Sequence, residues 1–240
     1  MFWVINERKI VMYLGGYYSS YVIFVLPAIL LAMYAQMKVT STFSRYSKVT
    51  SRGGNTAAQI AEKILRMHGI TNVNVERVTG NLTDHYDPRS HTLRLSDSVY
   101  GSTSVAAIGV AAHEAGHAIQ HNTGYFPIKL RNMVLPVANI GSQAAIPLAI
   151  LGLILSANVL VEIGIILFTA VVAFQIITLP VEFNASRRAI NILESNYLLD
   201  AEETKGASKV LKAAALTYVA AAATAIGNLL RLLSIARRRD

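Results

Sequence analysis

The sequence predicts a mainly α-helical integral-membrane protein, with three or four transmembrane helices and a small α+β insert facing the cytoplasm. Three features carry that prediction. Long uncharged apolar runs recur along the chain, a polar block with globular patterning separates the first from the second, and lysines and arginines gather where the runs end.

Of 240 residues, 53% are hydrophobic and 15% charged, and the mean hydropathy is +0.41. This composition excludes a disordered tail and a collagen-like fibre. The 22 Lys and Arg and 14 Asp and Glu are too few to solvate the long neutral stretches, so lipid must cover part of the surface. Cysteine is absent, which removes a disulfide scaffold, thiolate catalysis and any Cys-based zinc site, and leaves metal binding to His and carboxylates. The net charge of +8 resides beside apolar runs and not in an aromatic-laced patch, so it points to an anionic membrane surface and away from nucleic acid.

No charge occurs between Lys9 and Lys38, and Tyr17 to Met37 within that interval is long enough to cross about 30 Å of hydrocarbon at about 1.5 Å per residue. Tyr17, Tyr18 and Tyr21 suit a headgroup belt, and the apolar core is too long for a signal peptide, so this segment reads as an uncleaved anchor. A second neutral stretch runs from Asn132 to Val161 and resumes after Glu162 as far as Val181. The polar break at Ser156, Asn158 and Glu162 marks a turn between two antiparallel spans, about Met133 to Leu155 and Leu160 to Leu179. Lys38, Arg45, Lys48 and Arg52, with Lys129, Arg131, Arg187 and Arg188, put residues 38–131 and 180–212 on the cytoplasmic side by the positive-inside bias. Arg8 and Lys9 would then face out. Ala213 to Leu230, followed by Arg231 and Arg237 to Arg239, reads either as a fourth span or as a helix packed at the interface. The organisation expected is a tail and first span at 1–38, the insert at 39–131, a membrane hairpin at 132–180 and two further helical segments at 181–240.

Within the insert, Asn55 or Thr56 caps a helix with the apolar stripe Ile60, Ile64, Leu65 and Met67, which stops at Gly69. Two β-like runs follow, Val73 to Val78 and Leu82 to Tyr86. The turn formers Asp87-Pro88-Arg89-Ser90 then lead to Thr92 to Leu95, so the latter two runs form a hairpin. Ser102 to Ser104 opens an apolar helix that continues to about His121.

That helix holds His113-Glu114-Ala115-Gly116-His117. Four residues advance a helix by about 400°, so both imidazoles project from nearly one face and can grip a single zinc ion. Glu114, about 100° round, sits beside the ion and not on it, where it can act as general base toward the attacking water. The bland alternative is a buried polar helix whose histidines bond to neighbours. His121 lies about 12 Å along the helix from His113, too far to share an ion, and position 123, where a metzincin-like continuation needs His, is Thr123. Among the downstream carboxylates, Glu162 belongs to the far turn, whereas Glu182 follows two crossings that return the chain to the side where the HExxH helix ended. Glu182 is therefore the first carboxylate that topology can deliver as third ligand. Its alternative role is a helix N-terminal carboxylate just after Pro180.

These residues resemble a known family. HEAGHAIQ at 113–120, TDHYDPRS at 83–90 and LPVEFNASRRA at 179–189 look like the YugP-type neutral zinc metallopeptidases. More distantly, the order of HExxH helix, membrane hairpin and EFxA segment resembles the HtpX and CAAX-prenyl-protease gluzincins. The resemblance covers nearly the whole chain from the first span to the LTYVAAA stretch at 216–222. It implies His113, His117 and Glu182 as ligands of one zinc ion and Glu114 as catalytic base. Where the HtpX-like pattern has an Asp four residues after the ligand Glu, this chain has Ser186, so Asn184 and Ser186 are the candidates for orienting a ligand histidine.

A peptidase also needs a substrate strand partner and a donor for the oxyanion. The hairpin offers an edge strand; His85 and Tyr86 are candidate oxyanion donors, with Tyr218 and Arg187 behind them, while each also reads as an ordinary surface residue. His68 reads as a helix C-terminal dipole partner and His91 as a strand surface residue. The expectation is a zinc-dependent metallopeptidase in the cell membrane, its active site on the cytoplasmic face, acting on membrane-associated or unfolded polypeptides. The rival is a non-catalytic membrane scaffold or binding protein with a structural HExxH helix. A transporter fits worse, since no charged residue lies near mid-membrane in the spans.

Overall fold

The computed structural model describes residues 19–237. Arg8, Lys9, Tyr17 and Tyr18, and Arg238 and Arg239 of the terminal basic cluster, lie outside the described residues. Six α-helices and three strands are described. A π-helical turn at Tyr21–Val25 leads into α1 (Leu26–Tyr46), followed by α2 (Ala57–Met67), β1 (Asn74–Val78), β2 (His85–Asp87) and β3 (Thr92–Ser96). Then come α3 (Val105–Asn122), α4 (Phe126–Leu155), α5 (Asn158–Ser195) and α6 (Ala201–Ala236). The protein is thus mainly helical, with a small α+β part.

Four helices are long and apolar enough to cross a membrane: Tyr21–Tyr46, α4, α5 and α6. The last, α6, runs unbroken through the Ala-rich stretch that the sequence reads as either a fourth span or an interface helix. Each helix extends beyond its uncharged run, since the hydrogen-bond ladder does not stop where hydropathy does. The break between α4 and α5 falls at Ser156 and Ala157, with Ser156 at φ +55°.

Two compact units are present. Among the described residues, one comprises 19–34, 132–176 and 219–237, and the other 35–131 and 177–218. Among its described residues the first is built of helical segments packed through small side chains. Ala145, Phe168, Val172 and Ala225 form its buried cluster, and Gly164 lets α5 approach the backbone of α4, since a Cβ there would meet the Ala145 carbonyl at 2.7 Å.

The second unit carries the α+β fold. Thr56 caps α2 in a reciprocal box with Gln59, and Gly69 (φ +68°) ends it. Ile60, Ile64 and Leu65 are buried, but Met67, expected on the same stripe, is exposed because it lies in the last turn beyond the packed surface. β3 is central in the order β1-β3-β2, antiparallel to β2 and parallel to β1, the latter a pairing the sequence did not indicate. Leu93 and Leu95 of β3 are fully buried. Leu82, placed in a strand by its apolar character, instead takes φ +56° outside β2 and is exposed, and His91 is a turn residue at φ +49°, not a strand residue. Ser104 caps α3 by accepting from Ala107 N–H. Nearly all of α3 is buried, as expected of a helix apolar on most faces, and it packs against α2, β2 and β3.

The β2–β3 turn is held by Asp87. Its carboxylate accepts from Arg89 N–H at 2.9 Å and from the Ser90 hydroxyl at 2.8 Å. The Arg89 N–H bond, followed by the Ser90 hydroxyl, lowers the Asp87 pKa to about 2 from 3.8. A group depressed on folding stabilises fully above its unfolded pKa and progressively less as pH falls toward its folded one. The thermal midpoint of Asp87→Ala should therefore lie below that of the parent at pH 7. The deficit should shrink between about pH 4 and pH 2, as followed by circular dichroism in detergent micelles.

Candidate metal centre

α3 supplies His113, Glu114 and His117, and α5 supplies Glu182, which lies deep inside a continuous helix. Pro180, whose missing N–H would ordinarily end or kink a helix, is carried within α5, so the alternative placing of Glu182 in a helix's first turn does not hold. The two helices meet closely because Gly116 has no side chain: a Cβ there would fall 2.8 Å from the Ala185 carbonyl oxygen. Ala185 and Ala189 on α5 are fully buried.

His113 Nε2 lies 3.3 Å and His117 Nε2 3.6 Å from the same oxygen, Glu182 Oε2. The ligand atoms of these three residues all fall within 4.8 Å of one another. Ligands about 2.0–2.2 Å from a tetrahedral zinc stand about 3.3 Å apart, so the two shorter separations fit one ion.

The donor set itself tests that fit. Gln120, fully buried, donates from Nε2 to Val181 O at 2.8 Å and to Asn184 Oδ1 at 3.0 Å, which turns its Oε1 toward His117 Nδ1 at 3.0 Å. An amide oxygen only accepts, so the proton of neutral His117 sits on Nδ1 and the Nε2 lone pair faces Glu182. His113 Nδ1 is matched with the Ser186 hydroxyl at 3.1 Å, which places its Nε2 on the same side. A carboxylate 2% exposed, with the His117 lone pair and the His113 Nε2 directed at it, is a donor set that fits a cation held between them. A divalent metal is such a cation.

Glu114, adjoining the donor set, keeps its carboxylate on the cavity, where Tyr86 N–H of β2 donates to Oε2 at 3.0 Å. Tyr86 and Leu93 are opposed across the β2–β3 ladder, and this N–H faces outward from the sheet edge. Tyr218 of α6 completes the site: it lines the same cavity of about 140 Å³ as His113, Glu114, Glu182 and Ser186.

Of the residues singled out in the sequence, His113, Glu114, His117 and Glu182 converge. Ser186 touches His113 directly, and Asn184 reaches His117 through Gln120, while also accepting from Arg188 at 2.8 Å. His85 is exposed, bonded to Thr83 O, and not among the residues lining the cavity. The Tyr86 ring packs on His121 at 5.5 Å, so this residue serves the site by its backbone. Arg187 does not line this cavity, whereas Tyr218, ranked behind His85 and Tyr86 by sequence, does. His68 bonds Ile64 O at the end of α2, consistent with its dipole role. Gln120 was missed; its signal was a buried amide one turn beyond His117 in HEAGHAIQ.

By donor set and helices, the chain is of the class of membrane proteins able to hold a divalent metal through two histidines and a glutamate. Comparison with known families makes this specific: residues 21–237 match the family described as "Putative neutral zinc metallopeptidase", and the chain belongs to it. It is also 47% identical over 215 residues to "Putative membrane protease YugP" of Bacillus subtilis (strain 168), covering 90% of this chain and 96% of that protein. No solved structure matches the chain.

Outer-shell partners commonly contribute tenfold to a hundredfold in metal affinity. Gln120→Leu and Ser186→Ala should each weaken zinc binding by about that range, read by competition with a chromogenic chelator. Unchanged affinity in both would show that the two contacts do not orient the ligand rings.

Proposed function

We propose that the chain is a membrane-embedded zinc metallopeptidase of the gluzincin type, holding one zinc ion through His113, His117 and Glu182 and using Glu114 as general base. The observation that carries this reading is a three-residue donor set, two members of which, His113 and Glu182, line one small cavity together with the carboxylate of Glu114, which lies outside that set. Zinc in such a set supplies Lewis-acid polarisation of a carbonyl and makes water acidic enough to deprotonate near neutral pH.

The chain's own groups do the rest. Tyr86 N–H holds Glu114 Oε2, which leaves Oε1 to take a proton from the attacking water and hand it to the departing amine. The Tyr218 hydroxyl, a donor on the same cavity, stabilises the charge developing on the substrate carbonyl oxygen. Gln120, Ser186 and Asn184 fix the rings. β2, at the sheet edge beside Glu114, offers a substrate backbone the Tyr86 carbonyl, the Tyr86 N–H being taken by Glu114. A cavity of about 140 Å³ is too small for a folded element, so substrate enters as extended chain. That supports unfolded or membrane-associated polypeptides.

Four helices able to span, with Lys38, Arg45, Lys48, Arg52, Lys129 and Arg131 bounding the insert at 39–131, support a multi-pass protein of the cell membrane with its site on the cytoplasmic side.

Glu114→Gln should retain one zinc per chain while its hydrolysis of an unstructured fluorogenic peptide falls by at least about a hundredfold. Cleavage at the parent rate with zinc retained would remove Glu114 as base. A parent protein that binds zinc and turns over no peptide would favour the scaffold reading.

A further inference from the structure

A second groove, of about 290 Å³, lies between α5 and α6 next to the metal-site cavity. Ser186, Leu211 and Ala215 line both, so the two spaces share a wall. Beyond that wall the groove is bounded by Phe183 and Ile190 and flanked by Arg187 and Lys212. No carboxylate lines it. Both cations are exposed, and among the described residues neither has an ion pair or hydrogen-bond partner. Arg188, next to Arg187 on α5, by contrast bonds Asn184 and stands over the Tyr125 ring.

Resting on the peptidase reading above, we propose that this groove is a substrate subsite which takes a bulky apolar side chain next to the scissile bond, while Arg187 and Lys212 select a carboxylate that follows it. The apolar wall suits Leu or Phe, since removing such a side chain from water is the available driving force. The cations follow the shared wall by one residue on each helix, Arg187 after Ser186 and Lys212 after Leu211. An extended chain leaving the reaction centre along this wall meets positive potential just past the apolar surface. Two unpaired cations with no carboxylate between them favour an anion there and disfavour a lysine or arginine. That carboxylate comes from an Asp or Glu side chain or from the substrate's own C-terminus; the chemistry at the groove is the same.

Binding tests this independently of turnover. Full-length Glu114→Gln protein, zinc-loaded in neutral-lipid nanodiscs, is titrated with fluorescent peptides that differ only in the residue after a central Leu: Asp, Asn or Lys, all C-terminally amidated. A shorter peptide ends one residue after that Leu, as free acid and as amide. Exposed ion pairs are individually weak, so Asp should bind roughly three- to tenfold tighter than Asn, and Lys weaker than both. Arg187→Glu/Lys212→Glu in the same background should reverse the order of Asp and Lys, with unchanged zinc content reporting an intact fold. Replacing the central Leu by Gly should weaken every peptide. A free-acid preference in the short pair assigns the carboxylate to the chain terminus, and a preference confined to Asp assigns it to a side chain. Equal affinity for Asp, Asn and Lys overturns the proposal. So does competition by anionic-lipid vesicles that the double substitution abolishes without altering the peptide order, since the cations then serve lipid. Parent protein that hydrolyses none of these peptides counts against the peptidase reading, while the binding order still decides the groove.

Discussion

The site depends on a buried negative charge. Glu182 is 2% exposed, on a helix long and apolar enough to span, and it faces two imidazole nitrogens. Leaving such a carboxylate without a counter-charge costs several kcal/mol even after relaxation. Gln120 and Ser186 occupy the far sides of the rings, and a cation in the space the three groups enclose would supply the counter-charge. A fold that keeps a carboxylate under these conditions concentrates binding energy for a cation at one point, and Glu114 and Tyr218 stand beside that point.

Packing makes the arrangement possible. α3 and α5 approach until Gly116 lies against the Ala185 backbone, with Ala115 and Ala189 fully buried around them. Small side chains at the crossing let two helices distant in sequence bring functional groups within ångströms, a packing device also favoured where lipid supplies no hydrophobic drive between helices. The glycine inside HEAGH is thus a structural part of the centre: any side chain there pushes α5, and Glu182 with it, from the imidazoles.

Much of this was legible in the sequence because its signals were local or topological. The HExxH spacing fixes both imidazoles on one face, and counting crossings singles out Glu182 among the downstream carboxylates without any knowledge of packing. The capped α2 and the Asp-Pro turn were equally clear, since side-chain-to-backbone bonds are set by neighbours in sequence. What escaped was decided by contacts between distant segments. The parallel pairing of β1 with β3 leaves no mark in either strand. Leu82 looks like a strand residue until its positive φ is seen. Gln120 resembles an ordinary helix amide until Val181 and Asn184 claim its nitrogen. The preference for His85 and Tyr86 over Tyr218 followed from proximity to the motif in sequence; α6, far along the chain, brings Tyr218 to the cavity, which His85 does not line.

The account is tested most directly by zinc stoichiometry of purified protein against its Glu182→Gln variant, by elemental analysis after dialysis against a weak chelator. One ion per chain in the parent and close to none in the variant, with both equally helical by circular dichroism, is the predicted result. Equal zinc in the two proteins, or none in the parent under zinc-replete conditions, would contradict it.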